Sequence, residues 1–562
     1  MPSLDQARLF WHTVRYLRPV QIYGRAWFHL ARPKPDFSPA PGRRSATGLW
    51  VMPALRSQSQ IGPEVFRFLD VERSLNREGW DDTRVDKLWR YNLHYFDDLN
   101  ASEAAERLEW HRELMERWIT ENPAGAGTGW EPYPTSLRIV NWIKWVLSGR
   151  TLSAAALQSL AVQARWLNRR LEYHLLGNHL FANAKALVFA GLFFEGAEAA
   201  GWLERGCAIL GREVPEQILD DGGHFERSTM YHALALEDML DLLNLSRGFP
   251  GTGTARWQAF VAALPERIEP MRRWLASMCH PDGEIALFND AALGIAPPPW
   301  EIDAYALRLG LSNLCDHATR DAKTCLVESG YIRLEAGAAV ALLDVAAVGP
   351  DYLPGHAHAD TLSFELSLYG RRVLVNSGTS VYGTSDERMR QRGTSAHNTV
   401  VVAGENSSEV WSGFRVARRA RPFNLTFDNS NGLKVSCAHD GYRRLSESPT
   451  HRRSWELRRN EFLVSDSVTG GNHRSEANFH FHPDVALEED ETCSTGQALF
   501  PDGNKLHWTV EVGEGRLEPS TWHPEFGSSQ PTTRLVISLL KGKSTVRFSW
   551  DNENTVPARS DR

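Results

Sequence analysis

At 562 residues the chain is too long for one compact core, and roughly 150 residues per domain predicts three or four units unless one fold absorbs two of them. A hydrophobic fraction of 42% with 10% aromatics excludes a disordered chain. A net charge of −7 excludes a general nucleic-acid coat, so any anionic ligand has to be met by local arginines.

The N-terminus, MPSLDQARLFWHTVRYLRPVQ, alternates charged and apolar residues and has no continuous apolar run, so no signal peptide and a cytoplasmic chain are expected. Residues 1–60 read as a short helix followed by a proline-rich arm, RPKPDFSPAPGRR. Residues 61–318 carry apolar positions at spacings of three and four, predicting helices over 104–121, 136–147, 154–173 and 234–245. Breaks such as ENPAGAGTGWEPYP, GFPGTGT and ALGIAPPPW separate them, which suggests an α/α toroid or bundle. The longest apolar stretch, 182–194, is interrupted by Lys185 and Gly191, so no membrane span is expected.

Residues 319–562 change texture. Over 361–368, Leu362, Phe364, Leu366 and Leu368 alternate with Thr361, Ser363, Glu365 and Ser367, the period of a half-buried strand. YGRR reads as a turn into a partner strand, and 398–403, 433–438, 453–458, 461–468 and 535–540 continue a large antiparallel sandwich. The six cysteines show no CxxC spacing, so neither a zinc ribbon nor a disulfide scaffold is predicted.

Four constellations carry chemistry. In LLGNHLFANAKALVFAGLFF, a helix starting near Leu175 places Asn178 and His179 early, with Asn183 one turn beyond. An amide beside an imidazole can clamp a carboxyl group; equally, Asn178 could cap the helix and His179 be a satisfied helix-end histidine. In DDGGHFERSTMYHALALEDM, Tyr231 lies in an early helical turn, either as a proton donor and acceptor or as core packing. In PGHAHADTLSFELSL, an extended chain points His356, His358 and Asp360 to the same inward face as Leu362 and Phe364, where buried polar groups need partners. In SDERMRQRGTSAHNTVVV, Arg388, Arg390 and Arg392 suit polyanion contacts, with a solvated basic loop as the alternative.

Taken together, GNHLFANAKAL, DGGHFERSTMYHALALEDML, GHAHADTLSFELSLYGRRVLVNSGT and RGTSAHNTVVV, within about residues 90–490, make the sequence resemble the heparinase II/III-like polysaccharide lyases. The resemblance implies an α+β multidomain chain, an incomplete (α/α) toroid followed by a large antiparallel β-sandwich. It implies β-elimination at a uronic acid of an acidic polysaccharide, with Asn178 and His179 neutralising the carboxyl group, Tyr231 as acid and in some members also base, and His356 as base. It also implies one divalent metal ion held at His358, Asn376 and His397, although Asn376 stands where the family carries aspartate; a hydrogen-bonded histidine cluster is the alternative. Arg388, Arg392, Trp130 and Tyr133 are the expected substrate contacts.

The resemblance allows a periplasmic location as the alternative to the cytoplasm. A monomer or homodimer acting on an acidic polysaccharide or oligosaccharide, with no nucleic acid, is the expected assembly. Two other functions remain open at this stage. One is a glycoside hydrolase using carboxylates among Glu131, Asp220, Asp221 and Glu226. The other is a catalytically silent glycan-binding protein of exopolysaccharide assembly.

Overall fold

In a computed structural model of the protein, residues 4–314, 322–490 and 492–551 are described; the expected domain boundary at 318/319 and Cys315 lie outside them. The N-terminal segment holds two helices, Leu4–Val14 and Pro19–Leu30, where one was predicted. Arg18 at the turn between them pairs with Glu216. The arm that follows is strapped to the helical domain: Arg165 donates to the carbonyl of Pro39 (2.9 Å), and Arg44 N donates to that of Phe193 (2.8 Å).

The helical domain runs through Lys87–Tyr95, Leu108–Glu121, Pro132–Leu147, Ala154–Arg169, Gly177–Phe193, Gly196–Gln217, Thr229–Gly248, Ala255–Ser277 and Pro299–Arg308. Helix 154–169 stops four residues short of its predicted end, and helix 132–147 starts four residues before its predicted one. A proline within its first turn costs that helix nothing, because the missing N–H would be unpaired there. Helix Gly177–Phe193 is buried on all sides, not along one stripe, because it packs against both 132–147 and 196–217. Small residues permit the approach: a Cβ on Gly206 would lie 2.7 Å from the Ala184 carbonyl. Each of Leu180, Leu187 and Phe189, fully enclosed there, contributes roughly 1.5–3 kcal/mol of apolar burial.

Among the described residues, the named strands of the β domain all pair antiparallel, and one isolated parallel bridge joins Gly378 to His523. One sheet has eight strands, running from Pro422–Asp428 at one edge through Leu433–His439, Thr450–Arg458, Glu461–Thr469, Lys543–Ser549, Lys505–Val512 and Thr495–Leu499 to Ala486–Glu489. Facing it are a five-stranded sheet (Lys323–Leu326, Tyr331–Ala336, Ala339–Asp344, Phe364–Leu368, Arg371–Leu374) and a four-stranded one (Glu514–Trp522, Gln530–Ser538, Ser475–His480, Val400–Val402). A Leu374–Phe481 bridge joins these two, and Phe364, Phe462, Phe479 and Phe548 pack in the shared core.

The alternating strand is not half-buried as predicted. It spans only Phe364–Leu368, and all five residues are buried. Its polar face meets the helical domain, where Glu365 and Ser367 bond the ring nitrogens of His280 at 2.8 and 2.7 Å. That seam is where the candidate site lies.

Candidate active site

Segment 351–363 is not a strand, so parity is not what brings its histidines together. They wrap around a carboxylate from the helical domain instead. Asp290 faces His356 Nδ1 at 2.9 Å and His358 Nε2 at 2.8 Å, and Arg388 binds both its oxygens, one at 2.7 Å. Burial alone would raise the pKa of Asp290, but the Arg388 guanidinium and the imidazole hydrogen bonds hold it well below the usual carboxylate range. A carboxylate on Nδ1 fixes the His356 tautomer and leaves Nε2 as the lone-pair nitrogen. Asp360 turns away and accepts the Asn289 N–H at 3.1 Å.

Around that Nε2 the other groups gather. The Tyr231 ring lies 4.0 Å from the His356 ring, and its hydroxyl is 3.0 Å from that of Tyr382. Burial, reinforced by Tyr382, pushes the Tyr231 phenol well above its ordinary pKa near 10, so the resting group is the protonated acid. Glu226 Oε2 lies 3.7 Å from His356 Nε2, and the Asn178 backbone N–H stands against the same carboxyl group. Burial pushes this carboxyl up, only partly offset by His356 and His179.

The opposite wall is the start of helix 177–193. Leu176 occupies the cap position, so Asn178 lies inside the first turn and does not cap the helix. Gly177 at φ +54 is needed here: a Cβ would fall 2.4 Å from Leu353 and 2.9 Å from Glu226. His179 Nδ1 faces Glu172 at 3.2 Å, and Tyr133 packs on the imidazole with ring centres 4.5 Å apart. Burial opposes charge on His179, yet Glu172 outweighs it and raises its pKa. Asn183 orders the same carboxylate, donating to Glu172 at 3.1 Å.

Three expected substrate contacts are out of reach. Arg388 is fully buried on Asp290. Arg392, also fully buried, donates to the carbonyls of Ala357 and Gly413, with its pKa pulled down to about 9 chiefly by burial. Trp130 is core, packed between Trp118 and Trp166. Arginines at alternate positions of the short helix Asp386–Arg392 cannot all face solvent, and only Arg390 does. Of the four contacts, Tyr133 alone stands beside the site.

The hydrolase carboxylates are not arranged as a catalytic pair. Asp220 is exposed, Asp221 is tied to Ser329 (2.7 Å to its N), and Glu131 is held by Lys87 and Tyr91.

His358, Asn376 and His397 do cluster, with imidazole centres 5.2 Å apart and His397 Nδ1 3.3 Å from Asn376 Oδ1. His358 Nδ1 and Asn376 Nδ2 are buried without partners among the described residues, and His397 also meets the Gln391 backbone. Burial lowers both histidines, His358 to about 4, so the rings are neutral. The donor set does not fit a resident divalent cation: it has no anionic ligand, Asp290 is committed to Arg388, and Arg388 and Arg392 act on His358 as further positive charge.

Sequence reading missed Asp290, Glu172 and Tyr382, and placed Glu226 only among hydrolase carboxylates. Asp290 did leave a signal: an acid flanked by apolar residues in ALFNDAAL, in a class seldom buried without a partner.

A helical layer closing on an antiparallel sandwich, with a Tyr–His–Asn cleft at the seam, is matched by two family models. They are Heparinase II/III N-terminus over residues 43–296 and Heparinase II/III-like, C-terminal, over 319–551. The chain belongs to the heparinase II/III-like family, with its incomplete (α/α) toroid and β-sandwich. It is 26% identical to a heparin-sulfate lyase of Bacteroides stercoris over 59% of this chain and 50% of that protein. It is 24% identical to the FtsZ-localized protein C of Caulobacter vibrioides, over 70% and 68% of the two chains. A crystal structure of heparinase III superposes with a TM-score of 0.68 at 19% identity, covering 85% of this chain and 81% of that one, a likeness of fold. The chain spans between half and two thirds of the length of the heparin-sulfate lyases it matches.

Proposed function

We propose that the protein is a polysaccharide lyase that cleaves a uronate-containing acidic polysaccharide by β-elimination. One observation carries the reading: His356, oriented by Asp290, packs with its ring centre 4.0 Å from that of a protonated Tyr231 opposite the Asn178–His179 helix start. Asn178 and the charged form of His179, favoured by Glu172, neutralise the uronate carboxyl group, which acidifies the adjacent C5–H and stabilises the enediolate. His356 Nε2 takes the C5 proton. The electron pair forms the C4=C5 double bond as the C4–O bond breaks, and the Tyr231 hydroxyl protonates the departing oxygen. Loss of the imidazolium proton to solvent and protonation of the phenolate from it then restore both groups. Burial pushes the Glu226 carboxyl up, the direction that lessens its charge beside the incoming carboxylate. Tyr133 offers an aromatic face beside His179.

The test is incubation with heparan sulfate, chondroitin sulfate and an uncharged glucan, following both ultraviolet absorbance of the unsaturated uronate and new reducing ends. The two signals are expected to rise together on an acidic polymer only. Reducing ends without absorbance would mean hydrolysis, and binding with neither signal would mean a silent glycan-binding protein.

The raised pKa of His179 sets a pH dependence. Its charged form is the active one, so kcat/KM on a uronate polymer is expected to fall as pH rises through that raised value. Glu172→Gln removes the carboxylate that raises it, and the alkaline limb is expected to move to lower pH. A profile unchanged in this variant would remove His179 from carboxyl neutralisation.

We propose further that the His358–Asn376–His397 cluster is a neutral packed brace in place of a cation site. Its lack of an anionic ligand supports this. Thermal melting of the wild-type protein is expected to respond to neither chelator nor added Zn²⁺. Asn376→Asp, which restores a carboxylate, is expected to gain roughly 2–3 kcal/mol of Zn²⁺-dependent stability at a hundredfold excess over Kd. An equal response in the wild type would assign the ion to the native cluster.

A further inference from the structure

The two N-terminal helices are docked on their inner sides and bare on their outer ones. Helix 4–14 meets the β domain, where Trp411 Nε1 donates to Thr13 Oγ1 at 3.0 Å. Helix 19–30 meets both domains: Phe28 lies 4.3 Å from the His174 ring and 3.7 Å from the Arg170 guanidinium of the helical domain, and Gln21 Nε2 donates to the Tyr352 carbonyl of the β domain at 3.1 Å. The helix pair is thus folded onto the body, with Gln21, Gly24, Phe28 and Ala31 forming the docked stripe of the second helix.

At a turn of 100° per residue, Ile22, Tyr23, Ala26, Trp27 and Leu30 form the opposite stripe, and Leu4, Ala7 and Trp11 do the same on the first helix. Their exposure is extreme: Leu4 92%, Trp11 64%, Trp27 69% and Leu30 79%. Soluble chains seldom leave so contiguous an apolar face uncovered.

Charge identifies what covers it. The first 34 residues carry Arg8, Arg15, Arg18, Arg25, Arg32 and Lys34 against one acid, Asp5, in a protein of net charge −7. Arg25 and Arg32 are exposed and make no ion pair among the described residues. Beside the second helix lies a groove of about 540 Å³ lined by Tyr23, Trp27 and Tyr173, where Arg212 is the arginine left for an anionic headgroup: Arg169 is paired with Asp36, and of the wall carboxylates Glu216 is paired with Arg18 and Glu213 takes a hydrogen bond from Gln217.

We propose that this helix pair is a peripheral docking surface for an anionic lipid bilayer, with the apolar stripes at the headgroup–acyl boundary and the arginines among the headgroups. Aliphatic Leu4, Ile22 and Leu30 favour lipid over a polysaccharide, which stacks on aromatic faces and would leave them wet. A symmetric pairing of two copies would set the same arginines opposite one another.

The full-length protein is tested by sedimentation with vesicles of phosphatidylcholine containing phosphatidylglycerol, and of phosphatidylcholine alone, at low and high salt. Partitioning into the anionic vesicles is expected, weakened by salt, and lower by about fivefold for each of Arg25→Gln and Arg32→Gln. Trp11→Ser with Trp27→Ser is expected to lower it tenfold or more, with the melting temperature and activity on soluble substrate unchanged. Three outcomes would overturn the proposal: no vesicle binding, Trp-dependent binding to a soluble acidic polysaccharide in its place, or a concentration-dependent dimer that the Trp variants abolish.

Discussion

Tyr231→Phe is expected to lower kcat about 10²- to 10⁴-fold, the range for loss of a general acid, with KM and melting temperature little changed. The ring stays: Phe still packs 4.0 Å from His356 inside the same helix, so the cleft keeps its shape. Only the hydroxyl is lost, together with its contact to the Tyr382 hydroxyl, a net loss of about 1 kcal/mol. The measurement is steady-state elimination followed by absorbance, beside a thermal melt. A second readout separates acid catalysis from packing: a substrate whose C4 substituent is a better leaving group needs less protonation and is expected to recover part of the lost rate. Near-normal kcat in the variant would transfer the acid role, with Tyr382 the neighbouring hydroxyl able to take it.

Asp290→Asn is expected to produce the largest loss of stability of any single change at the site, about 3–5 kcal/mol at neutral pH. That is the scale for breaking a buried ion pair and stranding its partner, here the fully buried Arg388. His356 and His358 lose their common acceptor at the same time, so kcat falls with the orientation of His356. The sign of the pH dependence follows from the depressed pKa of Asp290 in the fold. Its stabilisation is complete above the unfolded value near 3.9, and it is lost as pH falls through the lower folded value. Urea unfolding of both proteins at pH 7 and at successively lower pH is expected to show the gap closing in acid. A difference below 1 kcal/mol at pH 7 would mean that the Arg388–Asp290 contact is not a buried charge pair.

Much of the helical domain was legible because helix periodicity is local: the breaks at ENPAGAGTG and GFPGTGT fall where chain direction changes. The boundary errors have local causes too, such as Pro132 within a first turn. The strand at Phe364–Leu368 was misread more instructively. Alternation was taken as one face in water, but its polar residues bond His280, 85 and 87 residues earlier in the chain. No window of sequence contains that partner.

The sequence by itself determined the order of helical and β segments, the helix start carrying Asn178 and His179, the helical turn carrying Tyr231, and the presence of two histidines with one residue between them. These rest on spacing and side-chain type. Only the tertiary structure decided that Asp290, 66 residues from His356 and 98 from Arg388, gathers both. The same is true of Glu226 standing over His356, and of Arg388 and Arg392 pointing inward where a substrate was expected. The physical reason is that a charge takes its role from its partners and its burial. Chain folding sets both across separations that no local pattern spans, whereas a helix is settled by residues three and four apart.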